Sequence, residues 1–494
     1  MRSRVAVIAI EALVLLALPT VAGAASITSD VEVHAPRGGE PQLAVNPRNP
    51  QNLVMGENVD GVAVSFDGGA SWTQVPLPNM GDNALAVEPD GTFLFTSIDG
   101  TVWSSKTGGL TWEDAGNWVG AVAETGYSLL PKTDYPVNVA GGDVIREVAC
   151  NTPDIEGAGP VTTEPPPAGP GVQTIGCDRP WLVTDPQTGR AYLSFSVHED
   201  AAGGTGSSLP WELGFAACRA NVTSLPIFRC GRQYVAASRN GGHTWTKFKP
   251  MDSSDYPAAV TMGWSGGPVA SFGRLATAYV ANGRDCGLCV VFETSTDAGA
   301  TWERHIVAPV ELPANTAPTC AVFGCGDGSL NTSFNFEPYT AADPTRRGRY
   351  AVMVFDRSQT RLIVYVTDDY GLHWRHTTLA EPGDGVQRWV PSIAYGPSGA
   401  LGVMWLTSYA DGSFDAWAAV ARGGDAHFAA PVRLSAERSP GPVAPGGDDA
   451  SDVTLTKDTL YAAWGDQRGG PAPTGWFGSY SDRVGSYRFE GDRG

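Results

Sequence analysis

Ser295-Thr296-Asp297-Ala298-Gly299-Ala300-Thr301-Trp302 is the stretch on which the reading of this chain turns. An Asp side chain accepts hydrogen bonds from backbone N–H groups a few residues on and so closes a turn. The Gly permits a positive φ, and the Trp supplies a large apolar ring to pack on a sheet. The octapeptide therefore predicts a hairpin turn with its own anchor. Ser65 to Trp72 repeats it, Ser238 to Trp245 repeats it with Asn240 for the Asp, and Ser105 to Trp112 has Thr107 there. Thr367 to Trp374 keeps Asp369, Gly371 and Trp374 but has His373 for the Thr, and a worn sixth copy ends at Phe428. Such recurrence marks an array of like units. Asp67, Asp297 and Asp369 are read as turn-builders, not catalysts.

A second pattern alternates with the first. Glu40 to Met55, Leu85 to Phe95, Arg179 to Phe195, Glu337 to Phe355 and Val390 to Trp405 each read as strand, tight turn, strand, with alternating apolar residues cut by Pro, Asp or Gly. One such hairpin plus one Asp-turn hairpin makes a four-stranded blade. Starts near Glu40, Asp82, Asp178, Gly267, Glu337, Trp389 and Asp449 predict an all-β propeller of seven blades, with Ile27 to Val33 closing the ring onto the last. Six blades is the alternative, because the last unit lacks a good turn motif. Residues 25–494 are expected to form a single domain, with 116–176 and 311–335 as long loop insertions.

The chain carries a formal net charge of −19 at pH 7, which speaks against nucleic acid as a partner. Residues 1–24 read as a signal peptide: Arg2 and Arg4, an apolar run, then Ala22-Gly23-Ala24. The rival, a membrane anchor, falls short of the roughly 20 apolar residues a bilayer needs, and no later segment offers a span. The protein is thus expected outside the cell, as a monomer. The eight cysteines suit an oxidising compartment. Nearest-neighbour pairing gives Cys150–Cys177, Cys218–Cys230, Cys286–Cys289 and Cys320–Cys325; half a zinc site at Cys286 and Cys289 is the rival for that pair.

Strand order places side chains. The start of each innermost strand and the end of the second meet at one mouth of the ring, while the Asp turns fall on the opposite face. The mouth then collects Glu40, Asp82, Asp178, Arg179, Glu337, Tyr339, Arg388, Trp389 and Asp449 from the first strands. The second strands add Glu57, Asp99, His198, Glu199, Asp200, Asp356, Arg357, Asp411, Asp466 and Arg468. Paired carboxylates there can divide acid and base roles. Arginines can grip a carboxylate through two oxygens, and Trp181, Trp389 and Tyr339 can stack on a sugar. Asp178-Arg179 and Asp356-Arg357 can equally bridge neighbouring blades. Ca²⁺ could sit among the carboxylates, but no loop has the spacing of a calcium site; no cofactor or metal is expected.

The five turn motifs resemble the Asp boxes (BNR repeats) of sialidases and related bacterial propellers, over nearly the whole mature length. The resemblance implies a secreted exo-α-sialidase-like glycoside hydrolase acting on an acidic glycan or extracellular glycoconjugate. On it, Tyr339 with Glu337 would resemble the family's Tyr–Glu pair. Asp356 and Asp178 would be further catalytic carboxylates, and Arg179, Arg357, Arg388, Arg468, Trp389 and His198 would hold substrate. The chain departs from the family where the first inner strand should carry Phe/Tyr-Arg-Ile-Pro: it has Gly38-Gly39-Glu40-Pro41. A non-catalytic propeller binding glycan or protein therefore stands beside the hydrolase, as does a polysaccharide lyase with His198 as base.

Overall fold

Short runs of Val, Ala, Leu and aromatic residues between Gly, Pro, Asn and Asp favour strands over helices, and every described element of the computed structural model is a strand. The structure describes residues 27–33, 40–58, 61–78, 82–97, 100–118, 144–149, 172–199, 231–253, 255–256, 267–310, 338–356, 360–381, 383, 385–440, 450–466, 468 and 481–489; for some strand residues, among them Asp178, Arg179 and His198, it describes the backbone alone.

Seven sheets succeed one another along the chain. The first strand, β1 (Ile27–Glu32), is used last. Blade 1 is β2 (Gln42–Val45), β3 (Leu53–Gly56), β4 (Val62–Ser65) and β5 (Thr73–Val75). Blade 2 is β6 (Asn83–Val87), β7 (Phe93–Ser97), β8 (Thr101–Ser105) and β9 (Glu113–Asn117). Blade 3 adds β10 (Val144–Ala149) to β11 (Val172–Thr184), β12 (Ala191–Glu199), β13 (Gly231–Ser238) and β14 (Lys249–Pro250). Blade 4 is β15 (Val269–Ser271), β16 (Arg274–Gly283), β17 (Gly287–Ser295) and β18 (Glu303–Pro309). Blade 5 is β19 (Tyr339–Ala342), β20 (Tyr350–Phe355), β21 (Leu362–Thr367) and β22 (Arg375–Leu379). Blade 6 is β23 (Gln387–Tyr395), β24 (Leu401–Ser408), β25 (Phe414–Ala421) and β26 (Val432–Arg433). Blade 7 is β27 (Asp452–Leu455), β28 (Thr459–Asp466) and β29 (Ser481–Arg488), completed by β1, which pairs antiparallel with β29.

Seven blades, not six, are therefore present: the last unit lacks a turn motif because the N-terminus supplies its outer strand. The stretch read as an insertion at 116–176 contributes β10, which runs parallel to the first part of β11. The segment 311–335 and the leader 1–24 lie outside the described residues. Cys286 and Cys289 form a disulfide at the β16–β17 turn; the other expected pairs involve residues that are not described, or that are described in backbone only.

The core is divided into seven inter-blade layers. Leu53, Met55, Tyr461 and Ala463 fill the layer between blades 7 and 1, and Val54, Val64, Phe93 and Phe95 fill that between blades 1 and 2. Trp72, Trp112, Trp245, Trp302 and Trp374 each pack against one layer, and Phe428 takes that place between blades 5 and 6. The repeated turn is built as its residues demand. Asp297 Oδ1 accepts from Thr301 N at 2.8 Å and Oδ2 from Thr301 Oγ1 at 2.7 Å, while Ser295 Oγ accepts from Gly299 N at 2.8 Å. Asn240, Thr107 and Asp369 take the same role in their turns. The bonds from Thr301 and Ser295 hold the Asp297 carboxyl down at about 2, so it stays ionised.

The turn glycine does more than turn. Gly299 has φ +82°, and a Cβ on it would lie 2.6 Å from Val235 Cγ1 of the preceding blade. Gly109 meets Val54, Gly242 meets Val102 and Gly371 meets Phe292 in the same way. These four turns thus receive an apolar side chain from the blade before; at Gly69 of blade 1 the approach is looser, with Tyr461 of blade 7 at 3.8 Å from such a Cβ.

Asp452 secures the ring where its ends meet. Its Oδ2 accepts from Leu43 N of blade 1 at 2.7 Å, and its Oδ1 from Ser392 Oγ of blade 6 at 3.3 Å and Val453 N at 2.8 Å. Desolvation between three inner strands outweighs these bonds and raises its pKa to about 6.

Two outcomes are expected. Gly299→Ala combines left-handed backbone with a clash and should cost about 2–4 kcal/mol in denaturant unfolding; a change within 0.5 kcal/mol of zero would remove the role given to this contact. Because the folded Asp452 binds its proton more tightly than the unfolded chain does, its contribution is full below about pH 4 and is lost as pH rises through about 6. The stability difference between wild type and Asp452→Asn should therefore move against wild type by roughly 2 kcal/mol from pH 4 to pH 7. A pH-independent difference would show the assignment to be mistaken.

Candidate functional site

The mouth is bounded by the starts of first strands, the ends of second strands and the crossings from each fourth strand to the next blade. X-Pro pairs shape it. Pro supplies no ladder donor, so it belongs at a strand's first residue or at a bulge. β2 begins just after Glu40-Pro41, and the pairing of β23 with β24 shifts register across Val390-Pro391. Pairing of β11 with β12 shifts likewise between Asp178 and Trp181, around Arg179-Pro180.

Blades 1 and 2 bring buried polar groups together. Glu40 is 8% exposed and sits at φ +55°, a conformation that costs a non-glycine residue free energy and persists only when its surroundings enforce it. Asn58 Nδ2 donates to Glu40 Oε2 at 2.9 Å, and Asn83 Nδ2 bridges Asn58 Oδ1 at 2.8 Å and Glu40 O at 3.1 Å. The carboxylates of Glu57 and Asp82, neighbours of these two asparagines in sequence, are also buried.

The arginines that the structure describes are engaged. Arg388 and Glu381, both buried, form a two-pronged ion pair: Nε donates to Oε2 at 3.1 Å and Nη2 to Oε1. Trp405 Nε1 adds a bond to the same carboxylate at 3.0 Å. Arg468 grips Asp466 with Nε and Nη2, both at 2.9 Å, and its Nη2 also reaches Asp30 of β1. Arg483 lies 3.5 Å from Asp466, which ties β28, β29 and β1 into one charged cluster.

The remaining expected residues fall as follows. Tyr339 is buried in the layer between blades 5 and 6, and Trp389 in that between blades 6 and 7, its Nε1 donating to Ser408 Oγ at 3.2 Å. Asp356 follows β20 and accepts from Thr360 N at 2.9 Å and Arg361 Nε at 3.0 Å. Asp178, Arg179 and His198 lie on β11 and β12, where Asp178 faces Ser196 and His198 faces Gly176; their side chains are not described. Glu337 and Arg357 lie outside the described residues. Sequence reasoning missed Glu381, Asn58 and Asn83. Glu381 had a signal: it lies in a crossing from a fourth strand to the next first strand, and such crossings also run along the mouth. Among the described residues no group of three or more His, Cys, Asp and Glu is arranged to hold a metal ion.

No protein-family model and no curated protein matches the chain. Solved structures similar to it include a Hadza microbial sialidase, 14% identical over 88% of this chain and 73% of that one, with a TM-score of 0.41. The NanB sialidase of Streptococcus pneumoniae is 12% identical over 91% of this chain and 84% of that one, TM-score 0.43. A GH74 enzyme of Niastella koreensis is 15% identical over 90% of this chain and 65% of that one, TM-score 0.36. At this distance the chemistry has to be argued from the chain's own residues.

Removing one partner of the buried Arg388–Glu381 pair leaves an uncompensated charge. Arg388→Ala should lower unfolding stability by about 3–5 kcal/mol, with Arg388→Ala/Glu381→Ala recovering part of the loss. Full stability in the single variant would mean that Arg388 is free to serve a ligand.

Proposed function

We propose that this chain is a secreted, sialidase-like glycoside hydrolase that takes a glycan at the mouth of its ring. The observation that carries the reading is the buried polar group on blades 1 and 2: Glu40, held in a left-handed conformation and bonded into an Asn58–Asn83 relay, with the buried Glu57 and Asp82 next to those asparagines in sequence. A buried carboxylate at the mouth can serve as the acid or the base of glycoside cleavage, protonating a leaving oxygen or accepting a proton from water. Backbone strain of the kind seen at Glu40 clusters at functional sites. In the exo-α-sialidase-like form, Tyr339 and Glu337 act with Asp356 and Asp178 on an acidic sugar, and Arg179 and Arg357 meet its carboxylate.

A second reading has its own support. Arg388 and Arg468 are each closed on carboxylates, which favours a propeller that binds glycan at the mouth without cleaving it.

Fluorogenic umbelliferyl glycosides separate the two. Acidic glycosides, sialoside and uronides, are assayed beside neutral hexosides. Release is expected from an acidic member, with kcat/KM at least about 100-fold lower in Glu40→Gln while its melting temperature stays near that of wild type. Binding on a glycan array without release from any glycoside leaves the second reading; neither release nor binding removes both.

A further inference from the structure

The face opposite the mouth carries a local cluster of cations around blades 3 to 5. Two adjoining cavities flank the blade 4 turn and share Thr296. The larger, about 470 Å³, lies between blades 3 and 4 and is lined by Arg190, Arg239 and Lys249, with the hydroxyls of Thr244, Thr246 and Thr296 among them. The smaller, about 110 Å³, lies between blades 4 and 5 and is lined by Arg274, Arg346, Arg347 and Arg349. Cations thus gather in two touching recesses of a chain whose net charge is −19.

Their counter-charges do not balance them. Among the described residues Arg190, Arg239, Lys249 and Arg347 make no ion pair. Arg346, Arg349 and Arg375 converge on the carboxylate of Asp368, at 3.4, 2.7 and 2.5 Å, and Arg349 also lies 3.6 Å from Asp343, so three cations meet two carboxylates. Asp297, the acid that lines the larger cavity, is engaged by Thr301 of its own turn. Two guanidiniums sit over rings, Arg347 at 4.6 Å over Phe272 and Arg274 at 4.4 Å over Tyr370. Arg274 also donates to Thr294 Oγ1 at 2.7 Å and lies 3.5 Å from Glu303 at the rim, whereas Arg347 keeps its N–H edge for other partners. Guanidiniums in this state match the oxygens of sulfate and carboxylate groups.

We propose that this turn-bearing face of blades 3 to 5 is a second binding site, for a linear glycan bearing sulfate or carboxylate groups. Its anionic groups enter the two recesses, and its neutral hydroxyls meet the threonines of the larger one. A short anionic glycan stays on the cationic tract. A nucleic acid, with its dense and continuous charge, would run on over the acidic remainder of the surface. The site does not rest on the chemistry assigned to the mouth.

The test uses the whole protein and a fluorescent heparin oligosaccharide, read by anisotropy at about 50 mM and about 300 mM salt. Saturable binding is expected at low salt and its loss at high salt. Arg239→Ala/Arg347→Ala should bind about tenfold more weakly, and Arg488→Ala, exposed on blade 7, should bind like wild type. No saturable binding, equal weakening in the Arg488 control, or equal binding by oligodeoxythymidine of the same charge would each overturn the proposal. Small umbelliferyl glycosides report on the mouth alone, so the two sites stand or fall separately.

Discussion

The packing of each repeated turn on the blade before it is the contact from which the ring is built. The Asp, Asn or Thr fixes the turn by local hydrogen bonds, which leaves the glycine backbone at a set height above the neighbouring sheet. Val54, Val102, Val235 and Phe292 then fill the space that a Cβ would occupy. Trp302 and its counterparts cover the same inter-blade layer beside that contact. One motif thus sets both the end of a hairpin and the approach of two sheets, and its repetition sets how blades follow one another around the axis. The cost of a side chain at such a glycine falls on backbone and packing together.

At the seam this device gives way to others. No turn joins β29 to β1, so strand pairing and the Asp30, Asp466, Arg468 and Arg483 cluster close the last blade, and Asp452 ties that blade to the first. These contacts are polar and enclosed. Removing one member of such a group leaves its partner unsatisfied, which is why they act as a latch more than as a source of net stability. The same physics governs Arg388 and Glu381 at the mouth. An arginine at a strand end is read from sequence as a ligand for an anion, yet a carboxylate in the nearby crossing reaches it first.

Architecture was legible because its determinants are local. Asp297, Gly299 and Trp302 lie within one octapeptide, and the unbroken run without polar residues in Leu43 to Val45 or Leu401 to Trp405 reports burial on both sides of a strand. Seven blade starts and closure by residues 27–33 follow from counting such units. The site was less legible because its partners are far apart in sequence. Nothing near Glu40 announces Asn83, and nothing near Arg388 marks Glu381 as the side chain that meets it. Trp389 and Tyr339 sit at positions that read equally well as sugar platforms or as inter-blade packing, and a periodic pattern cannot distinguish the two faces of a strand buried on both. The strand β10 went unread because its partner, the first part of β11, precedes the residues that carry the blade pattern.

The use of β1 as the outermost strand of blade 7 has a kinetic side. Ile27 pairs with Tyr487, so this ladder joins the two ends of the described chain and forms only after nearly all the intervening residues have been gathered. Until it does, β29 presents an unpaired edge, the kind of surface on which one chain can lend a strand to another. Synthesis from the N-terminus lengthens that interval, since β1 is made well before β29 and waits for it. The order of assembly, and with it the exposure to strand exchange between neighbouring chains, is thus written into where the ring is cut.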